Sequence, residues 1–299
     1  MMGAHHAACG AAAWVALTGQ AVVPTDWITE PMGWAATDPV TIGMGMMDLG
    51  PGGVAVGALV CAGAALVPDA DHHNATIAHS LPPVTQWVCD IIGKASGGHR
   101  HGTHSIIGIA FFTLVAFLAG LWTVEGGPTG TIAAGAGVLS VMLVAFAAKV
   151  LRIIPDSMRK TPWVVGILGG AWVALFPPDH PWWFIIAMAL GTAVHIAGDM
   201  MTTGGCNLAW PGVIKPPKAI HHVPILCREI KGANGKTVVG AIWQRNGYMG
   251  FPVLGNAGSW REWLLLVPIS GFALFGMAAA LMQTGQSGID QVVALMAGS

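Results

Sequence analysis

Histidine and aspartate recur in this chain in mixed clusters. "VPDADHH" carries Asp69, Asp71 and His72, "GHRHGTHS" carries His99, Arg100 and His104, and "HIAGDMM" carries His195 and Asp199. Neutral imidazole with carboxylate suits zinc, manganese or iron, whereas calcium and magnesium prefer oxygen. His195 and Asp199 are four residues apart, so on a helix they lie one above the other and can grip one ion. Pro68 is expected to end a helix, leaving Asp69, Asp71 and His72 on an extended or turn backbone whose alternate side chains address neighbouring ions. One of the two aspartates would be a ligand. The other would be its outer partner or serve a second ion. Gly97, Gly98 and Gly102 permit the tight backbone that brings His99 and His104 to one centre. His221 and His222 in "PPKAIHHVP" read as solvated, and His5, His73, His79 and His101 as neighbours rather than ligands.

The elements that must position these groups are membrane helices. Of 299 residues, 54% are hydrophobic and only 9% charged, and mean hydropathy is +0.64. That composition predicts an all-α polytopic membrane protein. Apolar runs at 7–23, 52–67, 105–123, 131–151, 163–176, 183–198 and 263–283 give about seven transmembrane helices. The first, second, fifth and sixth fall short of the ~20 residues of a full span and must be extended or sheltered by neighbours. Under this count all thirteen Lys and Arg residues fall on one side of the membrane. The other side holds Asp26, Glu30, Asp38, Asp48, Glu125, Asp179 and Asp290. The positive-inside rule then puts the N-terminus and the basic loops in the cytoplasm and the C-terminus outside. Every histidine except His180 joins the basic side.

Within this single membrane domain of residues 1–299, segment 24–51 is expected along the outer interface. Residues 68–104 form a cytoplasmic metal-motif loop, and 199–261 a cytoplasmic insertion. "ILCREIKGANGKTVVGAIWQR" places two β-prone runs around Asn-Gly, which predicts a hairpin whose cations could attract phosphate or anionic lipid. "TQWVCDIIGK" sets Trp87, Val88, Ile91 and Ile92 on one helical face, as an interfacial amphipathic helix does. Ser259 and Glu262 form a capping box for the last helix. No basic n-region precedes the first apolar run, so it reads as a helix rather than a secretory leader. Cys9, Cys61, Cys89, Cys206 and Cys227 contain no CxxC pair and read as reduced thiols.

Taken in order, "AHHAACG", "VPDADHH", "GHRHGTHS", "HIAGDMMTT" and "GSWREWL" resemble the membrane-bound, metal-dependent hydrolases of the LexA-binding, inner-membrane-associated type. That family is grouped at a distance with zinc-dependent phospholipase C and P1-type nucleases. The resemblance implies His6, Asp69, Asp71, His72, His99, His104, His195 and Asp199 as the metal and acid–base set. Arg100, Thr103, Thr202 and Glu262 would support them. His101-Gly102 departs from the family's Gly-aromatic pair, and either adds a ligand or reshapes the mouth of the site.

The chemistry implied is hydrolysis of a phosphoester, a phospholipid or related molecule, at the cytoplasmic membrane face. Two or three divalent ions, zinc first, would activate water. Asp69 and Asp71 would be catalytic carboxylates, and Arg100 would receive an anionic oxygen. Membrane lipids and a small-molecule or lipid phosphoester are the expected partners, with no direct nucleic-acid binding. The competing class is a divalent-metal transporter or a metal-binding membrane protein without hydrolytic activity. Its signature would be ionisable groups deep within several helices.

Overall fold

The apolar runs fold as helices in the computed structural model, which describes residues 1–299 apart from 24–29, 34, 36–37, 73–74, 156–159 and 298–299. In chain order they are α1 (Gly3–Thr18), α2 (Gly50–Ala64), α3 (Val84–Ser96), α4 (Ile106–Gly120), α5 (Ala134–Val150), α6 (Thr161–Leu175), α7 (Trp183–Met200) and α8 (Trp260–Ala297). Among the described residues three stretches are long and apolar enough to cross a membrane: Gly52–Asp71, Trp183–Met200 and Trp260–Gln283. α4, α5 and α6 are apolar but shorter. Fifteen residues of α-helix rise only about 22 Å against a hydrocarbon core of about 30 Å. The shortfall is distributed differently from the sequence expectation. The second and sixth runs reach full length, because the second continues through a 3-10 turn and the sixth runs on to Met200. The third loses its last turn at Leu121, ahead of a short β-ladder, Val124–Glu125 against Thr131–Ile132.

α2 is the central element, packed against α1, α5, α7 and α8. Its window from Gly52 to Asp71 is 78% buried, whereas that of α8 is 22% buried, so α8 lies at the edge with Leu264, Val267 and Leu274 exposed. α7 approaches α2 closely because Gly191 has no side chain. A Cβ there would lie 2.6 Å from the Cys61 carbonyl oxygen. The core between these helices is built from Ala7, Trp14, Val15, Val60, Leu66, Leu143 and Met188.

Contacts between helix ends give two distinct poles. Met2 donates to Glu262 and His195 to the Ala65 carbonyl, so the starts of α1 and α8 meet the ends of α2 and α7. At the other pole the Ala133 N–H donates to the Ala174 carbonyl, and Thr129 reaches Leu175. At this second pole α4 also ends and α5 begins, the Gly135 N–H donating to the Trp122 carbonyl.

Two further expectations have counterparts. Ile230–Lys231 pairs antiparallel with Thr237–Val239 around the Asn234-Gly235 turn. Gly235 takes the φ of 74° that such a turn requires. α3 exposes Val84, Trp87 and Ile91 and buries Thr85 and Cys89. Segment 24–51 contributes Val40–Ile42, paired antiparallel with Ala21–Val23, while 24–29, 34 and 36–37 fall outside the described residues. All five cysteines are free thiols.

Candidate metal centre

Pro68 does not leave an extended strand behind it. It opens a 3-10 helix, Val67–Asp71, with about three residues per turn, so Asp69 and Asp71 point to different sides. Asp71 turns towards the loop before α4, where its carboxylate is saturated. Oδ1 lies 2.9 Å from His99 Nδ1, and Oδ2 accepts from the Thr103 hydroxyl at 2.6 Å and the Arg100 N–H at 3.1 Å. His104 Nδ1 is a further 3.2 Å from Oδ2. Asp71 thus orients two imidazoles through Nδ1 and leaves each Nε2 unblocked by it.

Asp69 faces the interior of the site. Its Oδ1 is 3.8 Å from His104 Nε2 and 3.7 Å from His195 Nε2. His195, in the last turns of α7, lies 2.7 Å from the Ala65 carbonyl through Nδ1. A carbonyl can only accept, so this contact fixes the tautomer and directs the Nε2 lone pair inward. His104 and His195 then meet Nε2 to Nε2 at 3.1 Å. Asp199, four residues after His195, brings Oδ2 to 3.5 Å from His104 Nε2 and 3.8 Å from His195 Nε2. Five of the six separations among these four atoms therefore lie between 3.1 and 3.8 Å. Ligand atoms bonded to one zinc ion at ~2.0–2.2 Å stand about 3.3–3.6 Å apart at the corners of a tetrahedron.

His6, from the first turn of α1, stacks on His195 with ring centroids 3.7 Å apart. Its Nε2 is 3.2 Å from Asp199 Oδ1, yet neither ring nitrogen has hydrogen-bond geometry to any partner. A fully buried imidazole held against a carboxylate outside hydrogen-bond geometry is costly, and an ion shared with Asp199 would relieve it. Two groups of mutually close ligand atoms result: Asp69, Asp71, His99 and His104, and His6, His195 and Asp199. The His and Asp groups present can thus hold a metal ion. His72 belongs to neither group. It stands edge-on to the His99 ring at 5.0 Å.

Arg100 ties the two groups together. Its φ of 64° is in the left-handed region, which costs about 1–3 kcal/mol for a residue with a side chain. That backbone turn puts its N–H on Asp71 while its guanidinium reaches Asp199 Oδ1 at 3.1 Å, Thr202 Oγ1 at 3.4 Å and the Gly205 carbonyl at 3.3 Å. The fork rests on Gly204, where a Cβ would come within 1.8 Å of Nη1. Arg100, expected to meet a substrate oxygen, is here largely engaged with the protein, and its side chain is 16% exposed. The Met1 ammonium also pairs with Asp199.

Burial disfavours charge on His104, but the Asp199 and Asp71 carboxylates outweigh it and raise its pKa to about 9. A protonated His104 can then donate its Nε2–H to His195 across the 3.1 Å gap.

The remaining expected residues fall around this core. Thr103 lies 3.0 Å from His104 Nδ1. Glu262 is fully buried and pairs with His5 Nδ1, accepting also from Met2 N–H at 2.8 Å and Gly258 N–H at 2.7 Å. The capping box is accordingly half formed: Ser259 Oγ accepts from Glu262 N–H at 3.4 Å, but Glu262 turns to His5 instead of reciprocating. His101 bonds Tyr248 across 2.8 Å, which fastens the 199–261 insertion to the loop before α4. Tyr248, Gln244 and the Ala65 carbonyl are partners the sequence did not single out, since a backbone acceptor and the chain's sole tyrosine carry no spacing signal. His79 bonds Gln86, His221 bonds the Pro216 carbonyl, and His73 lies outside the described residues.

The sequence profile described as YdjM inner membrane protein matches residues 1–286. No curated protein and no solved structure matches the chain. With a match over nearly its whole length and a mostly helical structure with three spanning-length helices, the chain belongs to the YdjM inner membrane protein family.

Proposed function

We propose that this protein is a multi-pass, metal-dependent hydrolase that cleaves a phosphoester at the cytoplasmic face of the inner membrane. The observation that carries the metal is the 3.1 Å approach of His104 and His195 Nε2, each with its Nδ1 already directed at an acceptor. Zinc is the ion best suited to the His and Asp donors, with manganese or iron next. Bound ions would supply a water of pKa near ~7 and polarise the phosphoryl oxygen. His6, His104, His195 and Asp199 would hold them. Asp69, whose carboxylate is 22% exposed, is placed to receive the proton of the attacking water. Asp71 and Thr103 keep His99 and His104 oriented. Arg100 has five N–H donors, and those not spent on Asp199, Thr202 and Gly205 remain for an anionic oxygen.

The pole with the cluster is the cytoplasmic one in this reading, since Arg100 and the cations of the insertion lie there. All the apolar helices except α3 cross, the shorter ones by local thinning and tilt of their neighbours. α3 lies in the interface with Trp87 and Ile91 outward. A lipid phosphoester is the substrate nearest to a site at that depth.

The second reading is an ion-holding protein without chemistry. Its specific support is the burial of His6, His195 and Asp199 on helices, at 2% exposure or less. One experiment separates the two. Metal-replete protein is assayed on phospholipids, nucleotides and acyl esters, and for metal flux in proteoliposomes. Turnover that disappears in Asp69→Ala and His104→Ala supports hydrolysis. No turnover on any ester, together with flux that depends on His195 and Asp199, overturns it.

A further inference from the structure

A cavity of about 830 Å³ opens in the 199–261 insertion, away from the His and Asp cluster. Arg228, Lys231 and Arg245 line it, with Glu229 as its one acid and Gln244 and Asn246 as amides. Its size is within the range of about 300–1,000 Å³ usual for small-molecule sites. The charges in it are not consumed by the fold. Arg245 makes one bond to the His221 carbonyl at 3.4 Å, and Glu229 accepts from Thr237 at 3.4 Å rather than from a cation. Among the described residues the side chains of Arg228 and Lys231 have no ion pair or hydrogen bond. The positive-inside rule asks for cations on this side of the membrane. It does not ask that three of them be gathered around one concavity, where they repel one another until an anion enters.

We propose that this cavity is a binding site of its own for a phosphate-bearing anion, either a free phosphate ester or the phosphate of a lipid headgroup. An arginine fork suits the tetrahedral oxygens of phosphate in general, and Arg228, Arg245 and Lys231 bring three cations to this one cavity. The site does not depend on the hydrolase reading. It does adjoin the metal centre through one turn. Gln244, in the cavity wall, donates to the Thr203 and Gly204 carbonyls at 2.8 and 3.0 Å, and Gly204 is where the Arg100 guanidinium rests. Tyr248, whose carbonyl accepts from Gln244 N–H at 2.7 Å, holds His101 on the other side of Arg100.

The test titrates the full chain, purified in detergent and stripped of metal by a chelator, with inorganic phosphate, glycerol 3-phosphate, dioctanoyl phosphatidic acid and dioctanoyl phosphatidylcholine. Calorimetry should show saturable binding of a phosphate anion that weakens with added salt. The combined variant Arg228→Gln, Lys231→Gln, Arg245→Gln should bind at least about tenfold more weakly. The combined variant Lys215→Gln, Lys218→Gln, Lys236→Gln removes the same charge from the insertion outside the cavity and should bind as the parent does. Helicity and elution volume confirm that both remain folded, and Lys231→Gln alone should give a smaller loss in the same direction. Tighter binding of dioctanoyl phosphatidic acid than of glycerol 3-phosphate identifies a lipid headgroup, and equal binding a free phosphate ester. The proposal is overturned if no anion saturates, if both triple variants lose binding equally, or if His104→Ala abolishes binding, which would put the anion at the metal centre.

Discussion

At the scale of single residues the site divides into atoms that could hold an ion and atoms that keep those atoms still. Asp71 is the clearest of the second kind. Asp71→Asn keeps the shape but offers an amide where His99, His104 and Thr103 need an acceptor, so it should weaken metal binding by about 10–100-fold. Equilibrium titration with a competing chelator measures this, and unchanged affinity would remove Asp71 from the site. His104 yields a pH dependence. Its folded pKa of about 9 lies above the ordinary histidine value of about 6.5, so in metal-free protein its stabilising charge is fully present below pH 6.5 and lost as pH rises through about 9. Thermal melts of metal-free protein should fall over that window. Apparent metal affinity should rise over it, because the ion must displace the same proton. The identities of these residues were legible from clustered His and Asp alone. Their roles were not, because whether Asp69 or Asp71 faces the ion depends on the hand and pitch of a five-residue 3-10 turn.

At the scale of elements, apolar run length located every helix except α3, which showed as a one-faced amphipathic pattern, but boundaries moved where capping and packing intervened. α1 begins early enough to carry His5 and His6 inside its first turn, and α7 extends to keep His195 and Asp199 on one helical face. The Asn234-Gly235 hairpin was legible from two residues, because few backbone conformations suit that pair. The bond between His101 and Tyr248 was not, since the two are 147 residues apart with no shared pattern. The α2–α7 contact is a mechanical requirement of the site. Gly191→Ala would press a methyl towards the Cys61 carbonyl and the Ala64 side chain, one turn before His195 and beside its Ala65 acceptor. We expect a loss of about 1–3 kcal/mol, together with weaker metal binding. Gly271→Ala, with nothing near its Cβ, should change neither. Equal melting temperatures and metal content for Gly191→Ala and the parent would show that the helices are not held as described.

For the whole molecule, Gln244 and Tyr248 fasten the basic insertion to the turns that carry Arg100 and Gly204, so the cluster and the insertion share one face. The proposed topology puts that face in the cytoplasm. Reporter fusions near residues 128, 180 and 299 should report outside, and those near 94 and 235 inside, whereas a cytoplasmic reading at 299 would break the odd number of crossings. The one-sided placement of the thirteen basic residues is an expectation from charge alone, and these fusions are what test it. The convergence of His6, Asp69, His104, His195 and Asp199 was legible only as an expectation, since a bundle can unite helix ends without contact between their side chains. The account rests on that convergence being a metal centre. Elemental analysis of the detergent-purified chain, beside His195→Ala and Asp199→Ala, tests it most directly. The account predicts at least one tightly held transition-metal ion per chain, zinc foremost, that is lost in both variants. Absence of stoichiometric metal from the parent after growth and purification in metal-replete conditions, or equal metal in parent and variants, would contradict it.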